Sequence, residues 1–212
     1  MSDDLDFMAR ALALASSQLG RTAPNPSVGC VLVRDGEIVG EAATGDGGRP
    51  HAEEQALAAA GARAEGATAY VTLEPCAKRS SGAVSCTEAL LAAKVARVVV
   101  AAADPHPFAD GAGVARLKAA GTQVEVGIGA AQAEAINAGF FRVVREGMPW
   151  IVFSSDATGF DARFEAPESG SLRAALEAAA RGGATRLYTD DALIARRLDE
   201  AGLLSVRPPQ LP

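Results

Sequence analysis

The chain is short of several things, and each shortage excludes a class of function. Only three cysteines and two histidines occur in 212 residues. Three cysteines are too few, and odd in number, for a secreted disulfide framework. In a reducing compartment such a set points to metal binding or catalysis, and any imidazole chemistry falls to His51 or His106. Aromatic residues make up 5% of the chain, which leaves little for the stacking platforms of single-stranded nucleic-acid binders. Positive charge is also scarce: 20 Lys and Arg stand against 26 Asp and Glu, a formal net charge of -6. The deficit is spread over both halves, so neither offers a basic surface to a polyanion. No apolar run approaches the roughly 18 residues of a membrane span, and the opening Met-Ser-Asp-Asp is acidic where a signal peptide is basic. The expectation is a cytoplasmic protein with no membrane and no nucleic-acid partner.

What the chain does have is 49% hydrophobic residues, rich in alanine and aliphatic side chains, enough for one sizeable core. Its length corresponds to about one and a half domains of roughly 100–200 residues. Ser2-Asp3-Asp4 reads as the cap of a helix over Leu5–Leu19 that Gly20 ends. Val28–Val33 and Ile38–Ala42 flank Asp35-Gly36 as a hairpin. A helix over His51–Ala60 begins just after Pro50. Strands Ala67–Leu73, Ala96–Ala102 and Gln123–Val126 then alternate with helices Ala83–Ala93, Gly113–Ala120 and Ala130–Arg145. This alternation predicts a largely parallel sheet covered on both faces. Beyond Gly147 the pattern gives a strand Pro149–Phe153, a polar loop through Gly170, a helix Ser171–Ala180, a strand Arg186–Thr189 and a helix Asp191–Ala201. Two units therefore meet near residue 147, over 1–147 and 148–212.

The strongest chemical signal is His51-Ala52-Glu53 at a helix start, then Pro75-Cys76, then Cys86 near the start of the next helix. One imidazole and two thiolates fill three positions of a tetrahedral zinc site and leave the fourth for a water made acidic by the metal. A thiolate at a helix N-terminus is further favoured by the macrodipole. Glu53, two residues past the histidine, is placed to exchange protons as the catalytic acid and base. His-x-Glu followed by Pro-Cys-x-x-Cys is the pattern of zinc deaminases; here the second gap is longer. The competing reading makes His51 a helix-start residue and the cysteines small core residues. Cys30, inside an apolar strand without chelating spacing, reads as core, and Glu54 as a solvated helix residue. Glu74 either orients a neighbouring loop or faces water.

Pro24-Asn25-Pro26-Ser27-Val28-Gly29-Cys30, Pro50-His51-Ala52-Glu53, Thr72-Leu73-Glu74-Pro75-Cys76 and Asp104-Pro105-His106-Pro107 with Gly111-Ala112-Gly113 resemble, in order, the deaminase domain of the riboflavin-biosynthesis bifunctional deaminase/reductase family. The resemblance implies an α/β fold of the cytidine deaminase-like type, a three-layer α/β/α arrangement with a mixed sheet, plus a small truncated α/β segment at the C-terminus. It implies one zinc ion held by His51, Cys76 and Cys86, Glu53 as proton shuttle, and a phosphorylated aminopyrimidine substrate that loses ammonia. Asn25 would contact the pyrimidine and Asp104 the ribose, with His106 beside it. A homo-oligomer, a dimer, is expected.

The chain departs from that family in three places. The loop between the cysteines reads Ala77-Lys78-Arg79-Ser80-Ser81-Gly82-Ala83-Val84-Ser85 in place of a histidine- and proline-containing run. Lys78, Arg79, Ser80 and Ser81 still form a candidate phosphate cradle; the alternative is an exposed polar loop. Thr44 stands where the family has a histidine. After Gly147, Pro149–Phe153 and Arg186–Thr189 resemble two strands of the family's reductase domain, but Ser154 replaces a lysine and no glycine-rich phosphate loop opens a helix. The expectation is that 148–212 is a reductase remnant without catalytic activity, that NADPH is not a cofactor, and that a separate reductase completes the step.

Overall fold

The computed structural model describes residues 2–79, 82–106 and 111–206. It opens with helix α1 (Ser2–Ser17), which starts at Ser2 itself and carries Asp3 and Asp4 in its first turn, where acidic side chains suit the dipole. Strands β1 (Gly29–Arg34) and β2 (Glu37–Ala43) form the expected hairpin. Asp35 and Gly36 both take positive φ, 54° and 80°, as a tight primed turn requires. Helix α2 (Ala52–Ala60) and strand β3 (Thr68–Leu73) follow, then α3 (Cys86–Ala92), β4 (Arg97–Ala102), α4 (Ala112–Ala119) and β5 (Gln123–Val126).

The first sheet runs β2-β1-β3-β4-β5. β1 is antiparallel to both β2 and β3, whereas β3, β4 and β5 are mutually parallel. A Cβ on Gly29 would meet the backbone of Ala11 in α1, and one on Gly40 would meet the backbone of Ala56 in α2. Leu32 pairs with Gly40, so Gly29 and Gly40 face opposite sides and the two helices pack on opposite faces. Side chains of Val31, Leu32, Val71, Val98, Val99 and Val100 fill the core between the layers.

This topology gathers one edge of the sheet into a site. The loop entering β1 and the chain leaving β2 lie beside the carboxyl ends of β3 and β4, because β1 runs against both of its neighbours. Asn25, Thr44, Cys76 and Asp104 thereby converge from four separate segments, the arrangement expected where strand direction changes in an α/β sheet.

Three expectations need correction. The helix predicted over Ala83–Ala93 starts at Cys86, because Ser85 is its cap: the Ser85 hydroxyl accepts from the Glu88 N–H while the Glu88 carboxylate accepts from the Ser85 N–H. That reciprocal cap outweighs the helix propensity of Ala83. The helix predicted over Ala130–Arg145 is two helices, α5 (Ala130–Ile136) and α6 (Ala138–Glu146). Asn137 interrupts them: its side chain accepts from Ser27 N–H at 2.9 Å and donates to Ser27 C=O at 3.1 Å. The polar loop before Gly170 holds a short strand, β7 (Ala162–Arg163).

With β6 (Trp150–Phe153) and β8 (Arg186–Thr189), β7 makes a second sheet, ordered β6-β8-β7 and parallel throughout. Helices α7 (Leu172–Arg181) and α8 (Ala192–Glu200) accompany it. Its own core is formed by Ile151, Phe164, Leu176, Leu187 and Leu198. Among the described residues, no helix is long and apolar enough to cross a membrane.

Candidate active site

His51 is the cap residue of α2, and its backbone N–H donates to the Glu54 carboxylate at 2.8 Å. Cys86 is the first residue of α3, fixed there by the Ser85 cap. Cys76 follows β3 by three residues. These three side chains meet: one donor atom from each lies within 4.8 Å of the others. Nδ1 of His51 is 3.2 Å from Sγ of Cys86 and 3.9 Å from Sγ of Cys76. The Cys86 backbone N–H also points at the Cys76 sulfur, at 3.3 Å. The neighbouring Cys86 thiol, with His51 beside it, holds the Cys76 thiol well below its ordinary range, while the neighbouring Cys76 and burial push the Cys86 thiol up. One imidazole nitrogen and two sulfurs at a single focus are a donor set that fits zinc and leaves room for a further ligand.

Glu53 is 3% exposed and lines the same inner cleft, of about 340 Å³, as His51, Cys76, Asn25, Thr44 and Asp104. Burial pushes its carboxyl up, with the neighbouring His51 acting in the opposite direction. A carboxyl raised by burial beside a donor cluster is a candidate proton shuttle. The inner cleft opens into a wider one of about 820 Å³ that shares Asn25, His51, Cys76 and Asp104 and adds Arg49, Lys78, Arg79, His106 and Phe140. Asp104 accepts from the His106 N–H at 2.8 Å, and the His106 ring stacks on Phe140 with centroids 6.3 Å apart. Lys78 is exposed at the mouth. Ser80 and Ser81 lie outside the described residues.

Residues 1–102 match the family model described as the cytidine and deoxycytidylate deaminase zinc-binding region. The chain is 41% identical over 147 residues to the diaminohydroxyphosphoribosylamino-pyrimidine deaminase of Buchnera aphidicola, covering 99% of that protein and 69% of this chain. The chain belongs to this deaminase family. It is also 44% identical over 209 residues to the riboflavin biosynthesis protein RibD of Escherichia coli, which covers 92% of this chain and 57% of that protein. The chain thus spans about half the length of the first curated relatives it matches, 57% and 40% of them. Among solved structures it resembles Acinetobacter baumannii RibD with a TM-score of 0.83 at 26% identity, covering 96% of this chain and 85% of that one. The cytidine deaminase-like α/β fold with its mixed sheet is therefore shown.

Within this deaminase fold, two acidic residues do more than their sequence positions suggest. Glu74 is the loop-orienting carboxylate of the two alternatives: it is buried and accepts from the backbone N–H groups of Gly111 and Val114 at 3.0 and 3.1 Å. Glu54, expected to be a solvated helix residue, instead joins Arg79 in an ion pair at 2.8 Å. Its position three residues after His51 matches the glutamate of a capping box, the one signal that could have marked it. Thr44 is buried and accepts from the Val28 N–H at 3.0 Å. Cys30 is buried in the core as expected. Asn137 is the support that sequence reasoning missed, holding Ser27 and with it the loop that carries Asn25.

Proposed function

We propose that this chain is a zinc-dependent hydrolytic deaminase of riboflavin biosynthesis. Its substrate would be 2,5-diamino-6-(5-phosphoribosylamino)pyrimidin-4-one. The observation that carries the reading is the meeting of His51, Cys76 and Cys86 within 4.8 Å on the wall of a cleft that also contains buried Glu53. His51, Cys76 and Cys86 would hold one zinc ion, which when bound supplies a Lewis acid that makes water nucleophilic near neutral pH.

The remaining work belongs to the chain. Glu53 takes one proton from the attacking water and passes it to the ring nitrogen, then takes the second proton from that same oxygen and passes it to the departing amine. The C–N bond to the exocyclic amine breaks, a C=O bond remains and ammonia leaves. Asn25 offers an amide donor and acceptor to the pyrimidine edge, Asp104 faces the ribose, and Lys78 and His106 line the outer cleft that would receive the phosphate arm. The need for reduced thiols at Cys76 and Cys86 supports a cytoplasmic setting.

Residues 148–212 have their own sheet and core, which supports treating them as a second unit. We read this unit as a reductase-like segment without a role in the chemistry, with reduction supplied by another protein. The test is mass spectrometry of the zinc-loaded protein incubated with the diaminopyrimidine. Replacement of the amine by oxygen, with ammonia released, supports the assignment. Absence of turnover on this substrate but turnover on another aminated heterocycle would move it, a reading that Thr44 and the altered 77–85 loop make worth including in the panel. Oxidation of NADPH by the protein with the deaminated product would overturn the role given to 148–212.

A further inference from the structure

Arg79 does not sit as a phosphate ligand should. Its side chain is 5% exposed, and its guanidinium is turned inward. Nη1 donates to Glu54 Oε1 at 2.9 Å, Nη2 lies 2.8 Å from Glu54 Oε2, and Nη2 also donates to the Cys86 sulfur at 3.4 Å. Its Nε is buried and meets no acceptor among the described residues. A buried donor left unmet is costly, so the other contacts dictate where this side chain lies. Glu54 in turn accepts from the His51 N–H at 2.8 Å. One unbroken path therefore runs from the backbone of His51 through Glu54 and Arg79 to the sulfur of Cys86.

We propose that Glu54 and Arg79 form a charged brace that holds the imidazole and thiolate ends of the metal-binding set in register, making Arg79 a positioning residue for the metal. This rests on the zinc reading above and deepens it. The requirement for a brace follows from the chain: His51 belongs to α2, Cys86 to α3, and the residues 77–85 between the two cysteines form no regular element among those described. A long irregular loop fixes its ends weakly. A planar guanidinium can meet a carboxylate with two N–H groups while a further contact reaches sulfur, which a lysine ammonium cannot reproduce with the same geometry. Partners of this kind, one layer behind the ligands, typically change metal affinity by about 10–100-fold when removed.

The experiment uses Arg79→Lys, which keeps the charge, and Glu54→Gln, which keeps the shape. Zinc affinity is read by competition with a chromophoric chelator, and thiolate coordination by the absorption spectrum of the cobalt(II)-substituted protein. Zinc binding by Arg79→Lys should weaken by about tenfold or more, with a shifted sulfur-to-cobalt charge-transfer band, and Glu54→Gln should move both in the same direction. If one variant fails to fold, the other carries the test. Zinc affinity within twofold of the parent and an unchanged cobalt spectrum would overturn the brace. So would an unaltered metal site with a raised KM for phosphorylated substrates alone, which would return Arg79 to phosphate binding. Failure of the parent chain to bind zinc at all would sink the metal reading itself, a result distinct from either.

Discussion

Around the five-stranded sheet, three buried polar side chains face a cleft; around the three-stranded sheet a comparable polar group closes on itself. Glu53, Thr44 and Asp104 are buried and line the inner cleft. In the second region one oxygen of Asp161 accepts from Thr185 N–H, Thr185 hydroxyl and Arg186 N–H, at 2.6, 2.9 and 2.7 Å. The buried Arg186 guanidinium lies 4.5 Å from the Trp150 ring and 5.7 Å from that of Phe160. It donates to Gly159 C=O at 3.0 Å and to Ile136 C=O, at the end of α5, at 3.3 Å. The same kinds of residue thus do opposite work. Polar groups aimed at open space can act on a ligand, whereas those satisfied internally serve packing and join the second sheet to the first.

The largest expected effect breaks the first half of that contrast. Glu53→Gln removes the proposed proton shuttle while leaving the three candidate metal ligands untouched, so ammonia release should fall by about 10²–10⁴-fold with zinc content retained. Turnover near that of the parent, with metal still bound, would show that the buried carboxyl facing the cleft is not the shuttle. The matching test in the second region is Asp161→Ala. It strands three donors and should lower stability by about 2–4 kcal/mol in denaturant unfolding, while zinc affinity stays within about twofold, because its hydrogen bonds go to Thr185 and Arg186 and not to the candidate metal ligands. Loss of zinc binding in that variant would erase the separation between the two regions.

Legibility in the sequence follows the same division between periodic signals and single contacts. Both hairpin strands, the parallel strands β3 to β5 and the grouping of His51, Cys76 and Cys86 were readable, because alternation and chelating spacing are properties of the residues themselves. The break at Asn137 was not, since alanine-rich periodicity continues across it and its cause is a pair of hydrogen bonds to Ser27, far away in the chain. The contact between Glu54 and Arg79 was hidden for the same reason: 25 residues separate them, and the helix position of one suggested solvent while the polar loop of the other suggested a phosphate. Strand β7, two residues long, is too short to have a period at all.

A smaller effect sharpens the comparison at the far end of the first sheet, away from the cleft. Asp4 accepts from Tyr70 and Arg97 at 2.6 and 2.7 Å, and the Arg97 hydrogen bond, followed by that of Tyr70, holds its carboxyl down at about 2 from an ordinary 3.8. A folded-state value below the unfolded one means that the contribution is present in full above the unfolded value and is lost as pH falls through the folded one. Stability of the parent should therefore decline between about pH 4 and pH 2 in part through Asp4. Asp4→Asn should cost about 1–2 kcal/mol at neutral pH and flatten that acid slope, measured by urea unfolding across the range. An unchanged slope would remove Asp4 from the acid response.

Thr44 gives the smallest effect and the finest test, because it belongs to both sides of the contrast: it lines the inner cleft, yet its hydroxyl accepts from Val28 N–H at 3.0 Å. If that internal bond is its whole role, Thr44→Val should cost about 1 kcal/mol by stranding the Val28 donor, and Thr44→Ser should recover most of the loss. KM for the substrate should then track stability in neither variant. A rise in KM of about tenfold, worth about 1.4 kcal/mol of binding, in Thr44→Val but not in Thr44→Ser would instead place the hydroxyl against the substrate. In that case a polar group already satisfied within the protein would still read the ligand, and internal satisfaction would no longer separate packing from chemistry.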